Sequence, residues 1–499
     1  MKNKWAVGAV CVRLAIALMV TFALASEKEQ IDISGQWKYV LEHGGAVVTG
    51  HIEEPAGELV IPSELDGYPV MGIEDYAFWF WADMKGVTIP DSVTSIGEAA
   101  FAFCKNLISI NIPHGVTSIG DKVFEGCSSL TNVTIPDGVM RIGDKAFAEC
   151  GSLTEVTIPG SVASIGKYAF LECGNLISVT IADGVTSIGD EAFAGCHSLT
   201  GVTIPDSVMS IGERAFGDCQ SLTSVIIPGS VTSIGDFTFA GCSGLTSVTI
   251  QEGVTSIGDW AFGGCSSLSS VTIPASVTQI GNWVFDECGD FNLTVTEDSF
   301  AKQYARKMSI PYVSINDAGD IVVRAVNKTD ASDQWRYFLQ NDDATITGYI
   351  SEPVGDLVIP GELDGYVVTG IGVRALSECR SLTSVVIPGS VASIGDLTFA
   401  ECDGLTNVTI QEGVTSIGDW AFLYCFNLTS MTIPESVTQF GERAFIGCRN
   451  LTGMTISEGV TSIGVNAFLG CENLTLTVTA DTYAEQYAKD NNIPYIYSE

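Results

Sequence analysis

A 23-residue repeat runs through most of this 499-residue chain and limits what the chain can fold into. The dipeptide Ile-Gly returns every 23 residues, and a cysteine follows eight residues after each isoleucine. A fixed period of this length predicts a solenoid, in which each repeat buries its apolar side only against its neighbours. The first series of repeats has its isoleucines at Ile96, Ile119, Ile142, Ile165, Ile188, Ile211, Ile234, Ile257 and Ile280. The second series has the corresponding residues at Ile371, Ile394, Ile417, Phe440 and Ile463.

Each repeat has three parts, which residues 199–219 show clearly. Val202 and Ile204 alternate with small or polar residues, and this period of two predicts a strand that ends at Pro205. Residues 208–211 predict a second, shorter strand, and residues 213–219 predict a single helical turn. The predicted fold class is therefore a repeat solenoid of short β-strands and helical turns.

The segments at the ends of each series depart from the period and predict caps. In residues 31–73, two apolar runs flank the turn at residues 42–45, which predicts a β-hairpin that covers the open end of the core. Trp81 stands where later repeats have cysteine and is predicted to plug the cysteine column. An amphipathic helix with Ser299 as its N-cap is predicted to close the first series. Both ends recur later in the chain, so two complete capped arrays are expected.

The predicted organisation follows from these repeats and caps. We expect a signal peptide at 1–25, an entry cap at 31–73, the first array at 74–289, its closing cap at 290–313, a linker at 314–332, a second entry cap at 333–371, the second array at 372–471 and its closing cap at 472–499.

Residues 1–25 have the features of a secretory signal peptide. Lys2 and Lys4 precede a mostly apolar run, and residues 23–25 form a small-x-small cleavage site. The alternative is an uncleaved membrane anchor. We expect a secreted or cell-surface protein.

The chain is strongly acidic, with a formal net charge of −36. Such a surface repels phosphate backbones and anionic membranes, so nucleic-acid binding and membrane insertion are not expected. Solubility, cation binding and basic partner surfaces are compatible with it.

The cysteine of each repeat lies at an apolar position. A column of small buried thiols is the favoured interpretation. A disulfide framework or a metal site is the alternative, although metal sites use clustered ligands with paired spacing. No metal and no cofactor are predicted.

The repeat in residues 199–219, Leu-x-x-Val-x-Ile-Pro-x-x-Val-x-x-Ile-Gly-x-x-Ala-Phe-x-x-Cys, resembles the BspA-type leucine-rich repeat. The resemblance covers nearly all of the chain after residue 25, with departures at Trp81, Leu376 and Phe440. It implies a leucine-rich-repeat solenoid and an exported surface protein, in a family in which several members adhere to host matrix proteins or other cells. It implies no catalytic residues.

The residues themselves also predict a protein that is not an enzyme. Catalysis needs unlike groups that converge at one place, whereas this chain offers columns of like groups. No nucleophile elbow, phosphate-binding loop or zinc spacing is present in the sequence.

An acidic residue follows Ile-Gly in many repeats. These residues are expected to act as N-caps of the predicted helical turns, and calcium binding by the stacked acids is the alternative. They are Asp121, Asp144, Asp190, Glu213, Asp236 and Asp259.

The position after this acid is usually charged, which indicates exposure, yet five repeats carry an aromatic residue there. The aromatic residues are Tyr168, Phe237, Trp260, Trp283 and Trp420. Three of them fall in successive repeats and should form an apolar stripe with a spacing of about 5 Å. These five are the predicted binding residues for an extracellular protein or glycan. The alternative is that the rings fold over the turns or pack against the linker or the second array.

The exposed face of the longer strands, with small polar pairs such as Ser270 and Thr272, is a second candidate surface. Macromolecular binding, as in an adhesin, is the favoured function. A structural spacer or surface-layer component, a glycan-binding module and an ice-binding protein are the alternatives. The partner, the binding array and the oligomeric state stay open.

Overall fold

The computed structural model describes residues 28–54, 57–289, 291–316 and 318–498, and the predicted signal peptide lies outside them. The chain forms two compact units. The first comprises the residues up to Ser269 together with Gln279–Asp290, and the second comprises Ser270–Thr278 and Phe291–Glu499.

The first unit consists of an entry cap and a series of coils. The cap strands are β1 (Gln30–Ile31), β2 (Trp37–Glu42), β3 (Gly45–His51), β4 (Gly57–Val60), β5 (Glu64–Leu65) and β6 (Tyr68–Ile73). The longer coil strands are β7 (Met84–Thr88), β9 (Ser109–Asn111), β11 (Asn132–Thr134), β13 (Glu155–Ile158), β15 (Ser178–Ile181), β17 (Gly201–Thr203), β19 (Ser224–Ile227) and β21 (Ser247–Ile250). The two-residue strands are β8 (Ser95–Ile96), β10 (Ser118–Ile119), β12 (Arg141–Ile142), β14 (Ser164–Ile165), β16 (Ser187–Ile188), β18 (Ser210–Ile211), β20 (Ser233–Ile234), β22 (Ser256–Ile257) and β24 (Gln279–Ile280).

The second unit contains a closing cap, a second entry cap, coils and a final closing cap. The closing cap and the second entry cap comprise β23 (Ser270–Ile273), β25 (Asn292–Thr296), helix α1 (Phe300–Lys307), β26 (Tyr312–Ile315), β27 (Ile321–Thr329), β28 (Trp335–Gln340), β29 (Asp343–Tyr349), β30 (Gly355–Val358), β31 (Glu362–Leu363) and β32 (Tyr366–Ile371). The coils and the final cap follow with β33 (Leu382–Ile387), β34 (Ser393–Ile394), β35 (Asn407–Ile410), β36 (Ser416–Ile417), β37 (Ser430–Thr432), β38 (Gln439–Phe440), β39 (Gly453–Thr455), β40 (Ser462–Ile463), β41 (Thr475–Val478), helix α2 (Tyr483–Asp490) and β42 (Tyr495–Tyr497).

Consecutive coils pair in parallel, with equivalent residues opposite each other. Val179 lies opposite Val202, and Ile188 lies opposite Ile211. Behind the strands the phenylalanines stack, and the ring centroids of Phe170 and Phe193 are 5.2 Å apart with their planes 2° apart. Each coil therefore covers the apolar side of the next one, which confirms the predicted solenoid.

The segments predicted as helical turns are not helices. In the turn after Gly212, Arg214 and Asp218 have left-handed backbones, with φ of 52° and 58°. This conformation turns alternate N–H groups out of the turn. Arg214, Phe216 and Asp218 donate them to carbonyl oxygens of the next coil, at 3.0, 2.9 and 2.7 Å. A helix would use these donors internally, so the hydrogen bonds between coils replace the helix and offset the cost of the left-handed residues.

Residues 314–332, which were predicted to be a linker, contain the nine-residue strand β27. This strand pairs antiparallel with β26 on one side and with β28 on the other. It therefore joins the closing cap that ends at β26 to the entry cap that starts at β28 through one continuous sheet. Among the described residues, no helix has both the length and the apolar character needed to cross a bilayer.

Candidate binding surface

The candidate site is the aromatic stripe, which we define as Phe237, Trp260 and Trp283. These residues occupy one position in three successive coils, and their φ angles are 55°, 56° and 58°. The left-handed backbone is needed there because the N–H groups donate to backbone carbonyl oxygens of the next coil. Phe237 donates to the carbonyl of Asp259, and Trp260 donates to the carbonyl of Asn282. The turn geometry therefore sends all three side chains out in the same direction.

The rings of the aromatic stripe stack along the coils. The Phe237 and Trp260 centroids are 6.4 Å apart with planes 11° apart, and the Trp260 and Trp283 centroids are 6.4 Å apart with planes 34° apart. Phe237 is 37% exposed, and both tryptophans are half-buried. The rings thus form a continuous apolar surface that is partly open to solvent.

The Trp260 ring also covers its own turn. A Cβ placed on Gly263 would lie 2.6 Å from Cε3 of Trp260, so the indole rests directly on this glycine. Gly264 follows Gly263 in the coil of Trp260, and Gly241 occupies the same position as Gly264 in the coil of Phe237. The predicted alternative, rings folded over the turns, therefore describes the inner part of the indole, while the remainder stays at the surface.

The acidic column beside the aromatic stripe links the coils. The N–H of Asp259 donates to Oδ1 of Asp236 at 2.8 Å, and that of Asn282 donates to Oδ1 of Asp259 at 2.7 Å. This differs from the predicted N-cap, in which the carboxylate would accept from its own turn. The reason is that the turn is not a helix and its first N–H points to the preceding coil. Among the described residues, no group of three or more His, Cys, Asp or Glu side chains is arranged to hold a metal ion.

Tyr168 and Trp420 do not belong to the aromatic stripe. Tyr168 lies three repeats before Phe237, and the ammonium of Lys145 is 5.7 Å from its ring centroid. Trp420 is in the second unit, where the guanidinium carbon of Arg443 is 5.9 Å from its ring centroid. The structure therefore brings together three of the five predicted residues.

A second aromatic cluster near the first entry cap was not predicted. Phe80 stacks on Phe103 with 4.9 Å between centroids, and Trp79 meets Phe80 edge-on at 4.6 Å. Phe80 and Phe103 occupy the second left-handed position of the turn, with φ of 66° and 60°. The sequence signal was present, because the later repeats of the first series place glycine or a carboxylate at this position, as in Gly126.

The outer face of the longer strands is exposed, as predicted. Glu155 and Thr157 of β13 are exposed, while the alternating residues Val156 and Ile158 are buried. Ile226 interrupts the polar column and is 57% exposed. The described residues of this face are mainly small and polar, which makes the aromatic stripe the more distinctive of the two.

The described cysteines form two columns of free thiols, one in each array. In most coils, the cysteine Sγ–H donates to the carbonyl oxygen of the phenylalanine 26 residues earlier. Cys219, for example, donates to Phe193 at 3.3 Å. Burial raises the pKa of Cys173 to about 12. Cys288 and Cys471, which end the two columns, are only half-buried, and the other described cysteines are buried.

Thiol labelling should therefore separate the column ends from the interior. With a thiol-reactive disulfide at neutral pH, Cys288 and Cys471 of the native protein should react first. The reactive species is the thiolate, and the reagent must be able to reach it, which burial prevents for the interior cysteines. A hydrogen bond from Cys448 lowers the pKa of Cys471, which favours its reaction. Cys288→Ser and Cys471→Ser should each remove one rapidly reacting group. Rapid reaction of interior thiols in the folded protein would contradict this assignment.

A family model for a leucine-rich repeat matches most of this chain. The family model for the BspA type leucine rich repeat region matches residues 71–199, 163–292 and 369–489, more than half of the chain. A leucine-rich repeat protein from Bacteroides ovatus is 26% identical, covering 96% of this chain and all of its own, with a TM-score of 0.47. A leucine rich repeat protein from T. pallidum is 34% identical over 39% of this chain and 91% of its own, with a TM-score of 0.37. A leucine rich cell surface protein from Faecalibacterium prausnitzii is 25% identical over 93% and 98%, with a TM-score of 0.30. A search of curated proteins found no match.

Proposed function

Because the chain belongs to the BspA-type leucine-rich repeat family, we propose that it is an exported, non-enzymatic adhesin that binds matrix proteins or surface proteins of other cells. Leucine-rich-repeat solenoids generally serve as binding surfaces. The predicted signal peptide supports export, and the columns of like groups support binding rather than catalysis.

The aromatic stripe is the observation that carries this proposal. Three rings with centroids 6.4 Å apart present a contiguous apolar surface on an otherwise acidic protein. Soluble proteins rarely expose such a surface without a partner, and aromatic residues dominate the energetics of protein interfaces. Because the rings already stack on each other and the Trp260 ring rests on its turn, little side-chain entropy is lost on binding.

The charge of the chain defines the kind of partner. Asp236 and Asp259 flank the aromatic stripe, and the whole chain carries −36. A partner with apolar side chains surrounded by lysine or arginine would complement both features. Its association rate should fall as salt is added, because the long-range attraction is screened.

The test is binding of the mature protein to immobilised fibronectin and fibrinogen and to a glycan array. The site variant combines Phe237→Ser, Trp260→Ser and Trp283→Ser. We expect it to lose affinity by about 100-fold or more, since a single aromatic hot spot contributes about 2 kcal/mol or more. The matched control is Tyr168→Ser, which removes an aromatic residue from the same column outside the stripe and should bind like the wild type.

Each other outcome selects a different function. Binding by the site variant equal to that of the wild type would remove the aromatic stripe from the interface and favour the outer strand face. Binding only to glycans would select the carbohydrate-binding alternative, which the half-buried tryptophans also fit. Binding to none of the probes would contradict the proposal and favour a structural spacer.

A further inference from the structure

The two closing caps are copies of one another. The segment Ile310-Pro311-Tyr312 of the first corresponds to Ile493-Pro494-Tyr495 of the second. Their last strands pair in parallel in the same register, with Tyr312 opposite Leu293 in one and Tyr495 opposite Leu476 in the other. The two caps can therefore be compared residue by residue.

The first closing cap is covered by another strand. β27 pairs antiparallel with β26, and Tyr312 lies opposite Ala325 while Ser314 lies opposite Val323. Tyr312 and Ser314 are fully buried as a result. The hydroxyl of Tyr312 accepts a hydrogen bond from Nε2 of Gln340 at 2.5 Å.

Among the described residues, no strand covers the second closing cap in this way. β42 is the last strand of its sheet, and within the described chain it pairs only with β41. Ile496 is 57% and Tyr497 is 54% exposed, whereas Ser314, the counterpart of Tyr497, is 0% exposed. An exposed strand edge built of aromatic and β-branched residues is a template for pairing with another chain.

The hydrogen bonds show which groups of β42 are available. Leu476 donates to the carbonyl of Pro494, and Ser498 donates to the carbonyl of Val478, so these residues face β41. Since backbone groups alternate along a strand, Tyr495 and Tyr497 direct their N–H and C=O groups to the open edge. They correspond to Tyr312 and Ser314, the residues that face β27.

We propose that the open edge of β42 is a docking site for an extended, apolar strand of a partner protein, which pairs antiparallel as β27 pairs with β26. β27 gives the chemistry of such a strand: Ile321, Val322 and Val323 followed by Arg324. A basic residue suits an acidic receptor, whereas a second copy of this chain would bring another −36 charges to the same edge. This mode of binding, strand addition, obtains affinity from backbone hydrogen bonds.

A fluorescent peptide of residues 319–329 provides the probe, and the full mature chain is the receptor. We expect saturable binding in fluorescence anisotropy. Tyr497→Pro removes an outward N–H and should weaken binding about tenfold or more. Tyr497→Phe keeps that donor and loses only the hydroxyl, which donates to Glu485 at 2.7 Å, so it should bind like the wild type. A peptide with Val323→Pro should bind at least about tenfold more weakly. Circular dichroism and thermal melts of both variants establish that they are folded.

The remaining outcomes would overturn the proposal. Peptide binding that Tyr497→Pro leaves unchanged would mean that the peptide replaces β27 at the first closing cap. Absence of binding to the wild type would show that the edge accepts no such strand. A wild-type dimer that Tyr497→Pro converts to a monomer would identify a second copy as the occupant. The triple serine variant of the aromatic stripe should bind the peptide normally, which keeps this test separate from the proposed adhesin function.

Discussion

Replacing Gly212 with alanine should destabilise the first array strongly. The added Cβ would lie 2.4 Å from the backbone N of Asp190 and 2.6 Å from the carbonyl carbon of Gly189, in the preceding coil. These atoms cannot move away easily, because Gly212 itself donates to Ile188 at 2.9 Å across the same gap. Overpacking typically costs about 1–3 kcal/mol and sometimes more, and we expect the free energy of unfolding to fall by about 3 kcal/mol.

Gly201→Ala is the matched control for Gly212→Ala. Gly201 belongs to the same coil, and a Cβ at that position would have no atom within 4 Å. Its effect should stay within about 0.5 kcal/mol, as for other surface substitutions. Denaturant unfolding followed by circular dichroism measures both variants. If Gly212→Ala were as mild as Gly201→Ala, close approach of the coils would not explain the repeated Ile-Gly.

Replacing Phe216 with alanine should have the largest effect of a single truncation in the core. Its ring is fully buried between Phe193 and Phe239, at centroid distances of 5.3 and 5.4 Å. Truncation removes both stacking contacts and leaves a cavity that flanking coils, held by hydrogen bonds, cannot close. Phe→Ala changes in such cores cost about 3–5 kcal/mol, measurable as a lower denaturation midpoint.

Phe237→Ala compares the aromatic stripe with the buried phenylalanine stack that contains Phe216. It removes the same side chain in the next coil, where the ring is 37% exposed. We expect a loss of about 1 kcal/mol or less, because less apolar area returns to water. A loss as large as that of Phe216→Ala would mean that the aromatic stripe is a structural element, and the adhesin proposal would lose its main support.

The period of the sequence was sufficient to predict the coils, their register and their buried residues. Equivalent positions must stack when each repeat has the same length, and Val179 does lie opposite Val202. The turns could not be predicted in the same way. Arg214 adopts a left-handed backbone that its residue type does not favour, and its hydrogen bond to the next coil selects this conformation.

The strand β27 shows a second limit. Its surroundings contain Asn316, Gly319 and Asp330, which favour loops, and this composition predicted a linker. Pairing with β26 and β28 overrides the local preference, and such pairing is not visible in one sequence. For the aromatic stripe, the sequence predicted that Phe237, Trp260 and Trp283 occupy one position in successive repeats. The contact of the Trp260 ring with Gly263 required coordinates.

Hydrogen bonds of one kind join every coil to the next, and this has a consequence for inheritance. Deleting or duplicating 23 residues brings together surfaces that are already complementary, so no compensating mutation is required. Residues 251–262 and 411–422 are identical, as expected after copying between the arrays. Unequal recombination among near-identical gene segments can therefore change the length of an array in steps of about 4.8 Å, one strand spacing per repeat. Selection can then act on the length of an array independently of its binding chemistry.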